Sequence, residues 1–133
     1  MKAVLDTNIF ISGIFWRGSS NKVILNWREG RFTLVTSLKA VSEIIKVLKD
    51  FKIELSDDMI KEWIDLIVRN SIIVESKEKI SAVKDDPKDD ICIETAVAGN
   101  VDYIVLQDNL LLKLKEFRGI EIITPEEFNE LLK

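Results

Sequence analysis

The chain has 133 residues, 47% hydrophobic and 32% charged, with no histidine and a single cysteine, Cys92. Nineteen Lys and Arg against 23 Asp and Glu leave a formal charge of −4. A histidine general base, a Ser-His-Asp triad, an imidazole or structural zinc site and an intrachain disulfide are thereby excluded; carboxylates, Lys, hydroxyls or an oxygen-ligated metal must carry any chemistry.

Length and apolar content fit one domain spanning 1–133, without repeats or low-complexity stretches. Met1-Lys2-Ala3-Val4-Leu5-Asp6 meets an acid after three apolar residues, too early for a signal peptide. No apolar run approaches the roughly 18 residues of a membrane span, so the expectation is a cytoplasmic protein with no membrane partner. The acidic balance argues against a generic DNA-coating protein but permits a basic rim around an acidic centre.

In chain order, Ala3-Val4-Leu5 reads as a buried strand ending at Asp6, and Asn8 to Phe15 as a short helix. Ser20 is placed to cap a helix that Gly30 stops. Phe32 to Thr36 is a strand, after which Ser37 caps a helix with Leu38, Val41, Ile45 and Leu48 on its apolar stripe. Ser56 opens a helix with Met59, Ile60, Trp63, Ile64 and Ile67 inward, and Ser71 to Glu75 is a strand. The stretch Asp85-Asp86-Pro87-Lys88-Asp89-Asp90 opens a helix ended by Gly99-Asn100. Tyr103 to Leu106 is a strand, Leu110 to Phe117 a helix, and Glu121-Ile122-Ile123 the last strand. Thr124-Pro125-Glu126-Glu127 is a capping box for a closing helix. Alternation of this kind predicts an α/β fold, a parallel sheet with helices on both faces and strands buried on both sides.

The acids fall where such a sheet binds ligands, beyond the carboxyl ends of its strands. Asp6 ends the first strand, Glu43 lies two turns into the helix after the second, Asp89 and Asp90 begin the helix after the third, and Asp108 follows the fourth. Singly, each has a plain structural reading: Asp6 and Asp108 as helix caps, Glu43 as a helix-surface acid at the border of the apolar stripe, the Asp85 to Asp90 cluster as charge favoured by a helix N-terminus. Together they would repel one another at one sheet edge, and a divalent cation removes that penalty. Oxygen ligands without His or Cys point to Mg²⁺ or Mn²⁺, and such a metal suits a phosphate substrate.

These residues resemble the PIN-domain family, above all the VapC-like toxin ribonucleases of type II toxin–antitoxin systems. Val4-Leu5-Asp6-Thr7-Asn8, Thr36-Ser37-Leu38 through Ser42-Glu43, Asp86-Pro87-Lys88-Asp89-Asp90 through Ala96, and Tyr103-Ile104-Val105-Leu106-Gln107-Asp108 look like its four motifs, in order. Ile122-Ile123-Thr124-Pro125-Glu126-Glu127-Phe128 resembles the last strand and helix of one subfamily. The resemblance implies a three-layer α/β/α fold with a mostly parallel sheet of about five strands. It implies a metal-dependent endoribonuclease hydrolysing RNA phosphodiester bonds, with an antitoxin protein as partner. Carried over, Asp6, Glu43, Asp89 and Asp108 are the acidic site. Asp6, Asp89 and Asp108 hold Mg²⁺ or Mn²⁺, Glu43 orients the attacking water, and Asn8 and Ser37 support; Asp90 competes with Asp89. The chain departs from the family pattern at Leu106, where a Thr is usual, and at Leu110, where an acid is frequent. A catalytically weak or inactive PIN-fold module binding RNA or protein is therefore the alternative. A phosphoacceptor signalling domain fits less well, because Asp6 has no adjoining acid and no Lys follows the last strand.

Lys39, Lys46, Lys49, Lys52, Arg17, Arg28 and Arg31 are candidates for a phosphate-binding rim or for ordinary solvated helix faces. Phe10, Ile14, Phe15 and Trp16 suit a homodimer interface, an antitoxin groove or the core; Trp16, Trp27 and Trp63 suit base stacking or packing. Cys92 is expected to be a small buried residue.

Overall fold

The computed structural model describes residues 1–50, 55–81, 87–107 and 109–133, the side chains at 87–89 and 109 excepted. Thirteen elements follow in order: β1 (Lys2–Leu5), α1 (Thr7–Phe15), α2 (Ser19–Arg28), β2 (Thr33–Ser37), α3 (Leu38–Asp50), α4 (Asp57–Arg69), β3 (Ser71–Val74), α5 (Pro87–Gly99), β4 (Tyr103–Val105), α6 (Asn109–Leu112), β5 (Glu116–Phe117), β6 (Ile120–Ile123) and α7 (Pro125–Leu131). The strands form one sheet in the order β3-β2-β1-β4-β6-β5, parallel throughout except for the β5–β6 pair.

The period-2 alternation of a strand sorts neighbouring apolar residues to opposite faces. Ala3, Leu5, Leu34, Val105 and Ile123 face a core shared with residues of α1, α2, α3, α4 and α7. Val4, Val35, Ile104 and Ile122 face a second core built with Cys92, Ile93 and Ala96 of α5 and Leu111 of α6. Helices on both sides of the sheet make the three layers expected from the sequence. The first two crossovers add strands outward from β1 across one face; α5 then brings the chain back over the other face to β4, on the opposite side of β1. The junction between β1 and β4 is thus the point where the strand order reverses, and the crevice beyond its carboxyl ends is the default ligand position of such a sheet.

Five expectations need correction. The sheet has six strands: Glu116–Phe117, expected within a helix, pairs antiparallel with β6. Lys115 (φ 60°) breaks the chain from helical geometry, and Arg118 (φ 49°) with Gly119 (φ 84°) makes the tight turn. β3 is not buried on both sides: it is an edge strand with Ile72 and Ile73 exposed. Leu38 is 69% exposed and Ile44 replaces it on the buried stripe of α3, because the helix starts at Leu38 and its inward phase runs Val41, Ile44, Leu48. Met59 is likewise exposed in the first turn of α4. Ser20 does not cap α2, which starts one residue earlier with Gly18 at the cap position and no side-chain cap bond. Elsewhere the caps are as expected: Ser56 accepts from Met59 N, and Thr124 and Glu127 form the reciprocal capping box.

The aromatic segment of α1 is divided. Phe10 is wholly buried and meets Trp27 edge-on at 6.4 Å, so it belongs to the core rather than to an interface. Ile14 and Phe15 pack partly buried against the same core, while Trp16 is half exposed. Trp27 is buried and donates from Nε1 to Asn70 O; Trp63 is partly buried under the Arg28 guanidinium at 5.9 Å. Among the described residues no helix is long and apolar enough to cross a membrane.

Candidate active site at the carboxyl edge of the sheet

Asp6 sits immediately past β1, at the switch point. Its backbone N–H donates to Val105 O at 3.0 Å, extending the β1–β4 ladder by one bond, and its C=O accepts from Ile9 N at 2.9 Å, starting α1. The side chain caps that helix, Oδ2 accepting from Asn8 N at 3.3 Å. Oδ1 accepts from the Cys92 thiol at 3.5 Å. Asp6 is only 8% exposed and Cys92 6%. A buried carboxylate is costly in solvation unless it is hydrogen-bonded, and the start of α1 and the Cys92 thiol both donate to this one.

Cys92 is the small buried residue expected, and its thiol also ties the first turns of α5 to Asp6. Asp89 precedes Cys92 by three residues in that helix, a spacing that shares a helix face. Asp90, the competing position, is partly buried. The side chain of Asp89 and the whole of Asp108, together with Asp85 and Asp86, lie outside the described residues. Glu43 is partly buried on α3, which packs against both α1 and α5. Asn8 contributes its backbone N–H to Asp6, and its side chain is exposed.

Ser37 ends β2 and is buried. Its Oγ accepts from Ala40 N at 3.2 Å and lies 2.9 Å from Thr95 Oγ1. Thr95 donates its hydroxyl proton to Ile91 O at 2.7 Å, so Ser37 must be the donor in the pair. The chain Ala40 N–H to Ser37 to Thr95 to Ile91 O thus fixes the start of α3 against α5. Thr95 escaped the reading of the sequence; the signal was a polar residue amid the buried Cys92, Ile93 and Ala96, but its partner is 58 residues away. Leu106, where the family pattern has Thr, is wholly buried in the α5-side core, and Leu110 is exposed.

Of the cationic candidates, Arg31 pairs with Glu29 at 2.9 Å, Arg28 lies over Trp63, Arg17 lines a pocket at the start of α2, and Lys52 lies outside the described residues. Among the described residues no group of three or more Cys, Asp or Glu gathers as a metal site. The donor chemistry present, a buried carboxylate at the switch point with acids at the start of the adjacent helix, suits a hard divalent cation.

No curated protein matches the sequence. Seven chains of solved structures match the fold. One belongs to the crystal structure of VapBC2 from Rickettsia felis bound to a DNA fragment from their promoter; it aligns over 93% of this chain and 98% of that one, with a TM-score of 0.63 and 16% identity. At that identity the likeness is one of fold. Residues 2–110 match the family model described as PIN domain, and with most of its length inside that match the chain belongs to the PIN domain family.

Proposed function

We propose that this chain is a single-domain endoribonuclease dependent on Mg²⁺ or Mn²⁺, the toxin component of a toxin–antitoxin pair acting in the cytoplasm. The observation that carries the reading is Asp6: a carboxylate held almost wholly buried at the strand-order switch point, oriented by α1 and contacted by the helix that bears Asp89. Family membership and the fold likeness to a VapBC2 chain support it. Asp6, Asp89 and Asp108 would hold the cation, with Asp90 beside them. When bound, the cation would polarise the phosphoryl oxygen and raise the acidity of water next to it. Glu43 would orient that water for attack in line with the leaving oxygen. Asn8, through its backbone N–H, and Ser37, through Thr95, hold the carboxylate and the two helices in place. A VapB-like antitoxin and a second copy of the chain are the protein partners in this reading.

The test is cleavage of single-stranded RNA across a Mn²⁺ titration. Asp6→Asn and Asp89→Asn should each lower the metal-dependent rate by at least about a hundredfold, beyond the cost of disturbing a ligand's supporting contacts. Full activity in both variants sinks the site assignment. Leu106 favours a second reading, a weak or inactive module that binds RNA or protein, since a core leucine stands where the family pattern has a hydroxyl. Failure to bind Mn²⁺ at millimolar concentration, with no cleavage, selects that reading.

A further inference from the structure

Asp6 is held at both of its carboxylate oxygens, and from two elements far apart in the chain. Oδ2 accepts from Asn8 N at the start of α1, and Oδ1 accepts from the Cys92 thiol, 86 positions away on α5. A carboxylate bonded at one oxygen still swings about its terminal torsion, which is broad in Asp. Bonds to both oxygens from two separate elements oppose that swing. Asp6 and Cys92 are both buried, so little water competes for these bonds.

The same helix is pinned at a second strand end. β1 and β2 pair with Ala3 opposite Leu34, which sets Asp6 level with Ser37 at the carboxyl ends of the two strands. Cys92 and Thr95 lie about one turn apart on α5 and share a face; Cys92 bonds Asp6, and Thr95 bonds Ser37. α5 is thereby registered on two neighbouring strands at the edge where the same helix brings in Asp89. A thiol is a neutral and weak donor. It orients the carboxylate and leaves the negative charge available to a cation, which a Lys or Arg in its place would offset.

We propose that Cys92 is a positioning residue for the metal centre: by donating to Oδ1 it sets the rotation of the Asp6 carboxylate against α5, and so sets how tightly the acidic site holds a divalent cation. The thiol is not a ligand in this arrangement, since Mg²⁺ and Mn²⁺ favour oxygen. The inference rests on the metal-dependent reading of the acidic site. Removing a partner that orients a metal ligand costs about tenfold or more in metal affinity, although the partner never touches the metal.

The experiment is a Mn²⁺ titration of the metal-stripped protein, followed by the electron paramagnetic resonance of free Mn²⁺, with RNA cleavage measured separately. Cys92→Ala should weaken Mn²⁺ binding about tenfold, the lower end for such a partner because a thiol is a weak donor. Cys92→Ser loses nearly the same volume but keeps a hydroxyl donor, and should recover most of the affinity lost in Cys92→Ala. Ile93→Val removes a methylene from the wholly buried neighbour on α5, and should lower thermal stability with Mn²⁺ affinity unchanged. Wild-type affinity in Cys92→Ala, in a protein that loses Mn²⁺ with Asp6→Asn, overturns the inference and leaves the nuclease reading standing. Equal losses in Cys92→Ala and Cys92→Ser, or a matching loss in Ile93→Val, reduce Cys92 to packing and overturn it as well. A wild-type protein that binds no Mn²⁺ overturns both. Affinity that follows the donor at position 92, in a protein that never cleaves RNA, upholds the positioning role and sinks the nuclease reading.

Discussion

Two aspartates at opposite ends of the sheet receive opposite treatment. Asp102, at the amino end of β4, is exposed and fully engaged in closing the fold: Oδ2 accepts from Lys2 N at 2.9 Å, its own N–H donates to Lys2 O, its C=O accepts from Glu121 N, and Lys2 Nζ reaches Gly99 O at 2.8 Å. Asp6, at the carboxyl end of β1, is buried beside a thiol and a helix start. The amino edge spends its charges on main-chain closure, whereas the carboxyl edge retains a desolvated carboxylate and a row of helix N-termini. A parallel sheet makes this difference unavoidable, since every crossover leaves the sheet at one edge and returns to it at the other.

The strongest way to break the comparison is to remove the same charge from each edge. Asp102→Asn should leave RNA cleavage within about twofold of wild type, as for a surface substitution, while Asp6→Asn abolishes it. Equal losses, measured as rates at saturating Mn²⁺, would mean that the two edges do not differ functionally. Next in size is Thr95→Val, which strands the Ser37 hydroxyl in a buried place. It should cost about 1–3 kcal/mol in urea unfolding, and Thr95→Ser should restore most of it. The smallest effect belongs to Glu78, whose carboxylate accepts two bonds from Arg118 at 3.0 and 3.1 Å between the chain after β3 and the β5–β6 turn. The Arg118 hydrogen bonds hold the Glu78 carboxyl below its ordinary 4.5, partly opposed by desolvation and aided by the guanidinium charge. A lowered folded-state value means that this stabilisation is complete above the unfolded value and is lost as pH falls through the folded one. Glu78→Gln should therefore flatten the acid limb of the stability profile slightly, and added salt should erase the difference.

Where order and chemistry are local, the sequence is legible. The capping box at Thr124, the Ser56 cap and the strand-ending Asp6 are each determined within four residues. The reading falters where a second segment decides. Glu116–Phe117 becomes a strand only because β6 folds back on it, and Ser20 loses its capping role because Gly18 starts the helix early. The bonds of Cys92 and Thr95 have no local signal, because their partners, Asp6 and Ser37, lie 86 and 58 positions away. Asp6 ends β1 as its place in the sequence implies, but its contact with Cys92 is not legible there, since tertiary hydrogen bonds leave no periodicity.

The Ala40–Ser37–Thr95–Ile91 relay has a kinetic corollary. Each of its two hydroxyl protons has one destination, so the relay has a single sense and neither hydroxyl can rotate away without undoing the other's bond. The opening turns of α3 and α5 are thereby one unit of local unfolding. The amide of Ala40 should exchange with solvent at the same opening free energy as the amide of Thr95, and Thr95→Val should split that shared value in two.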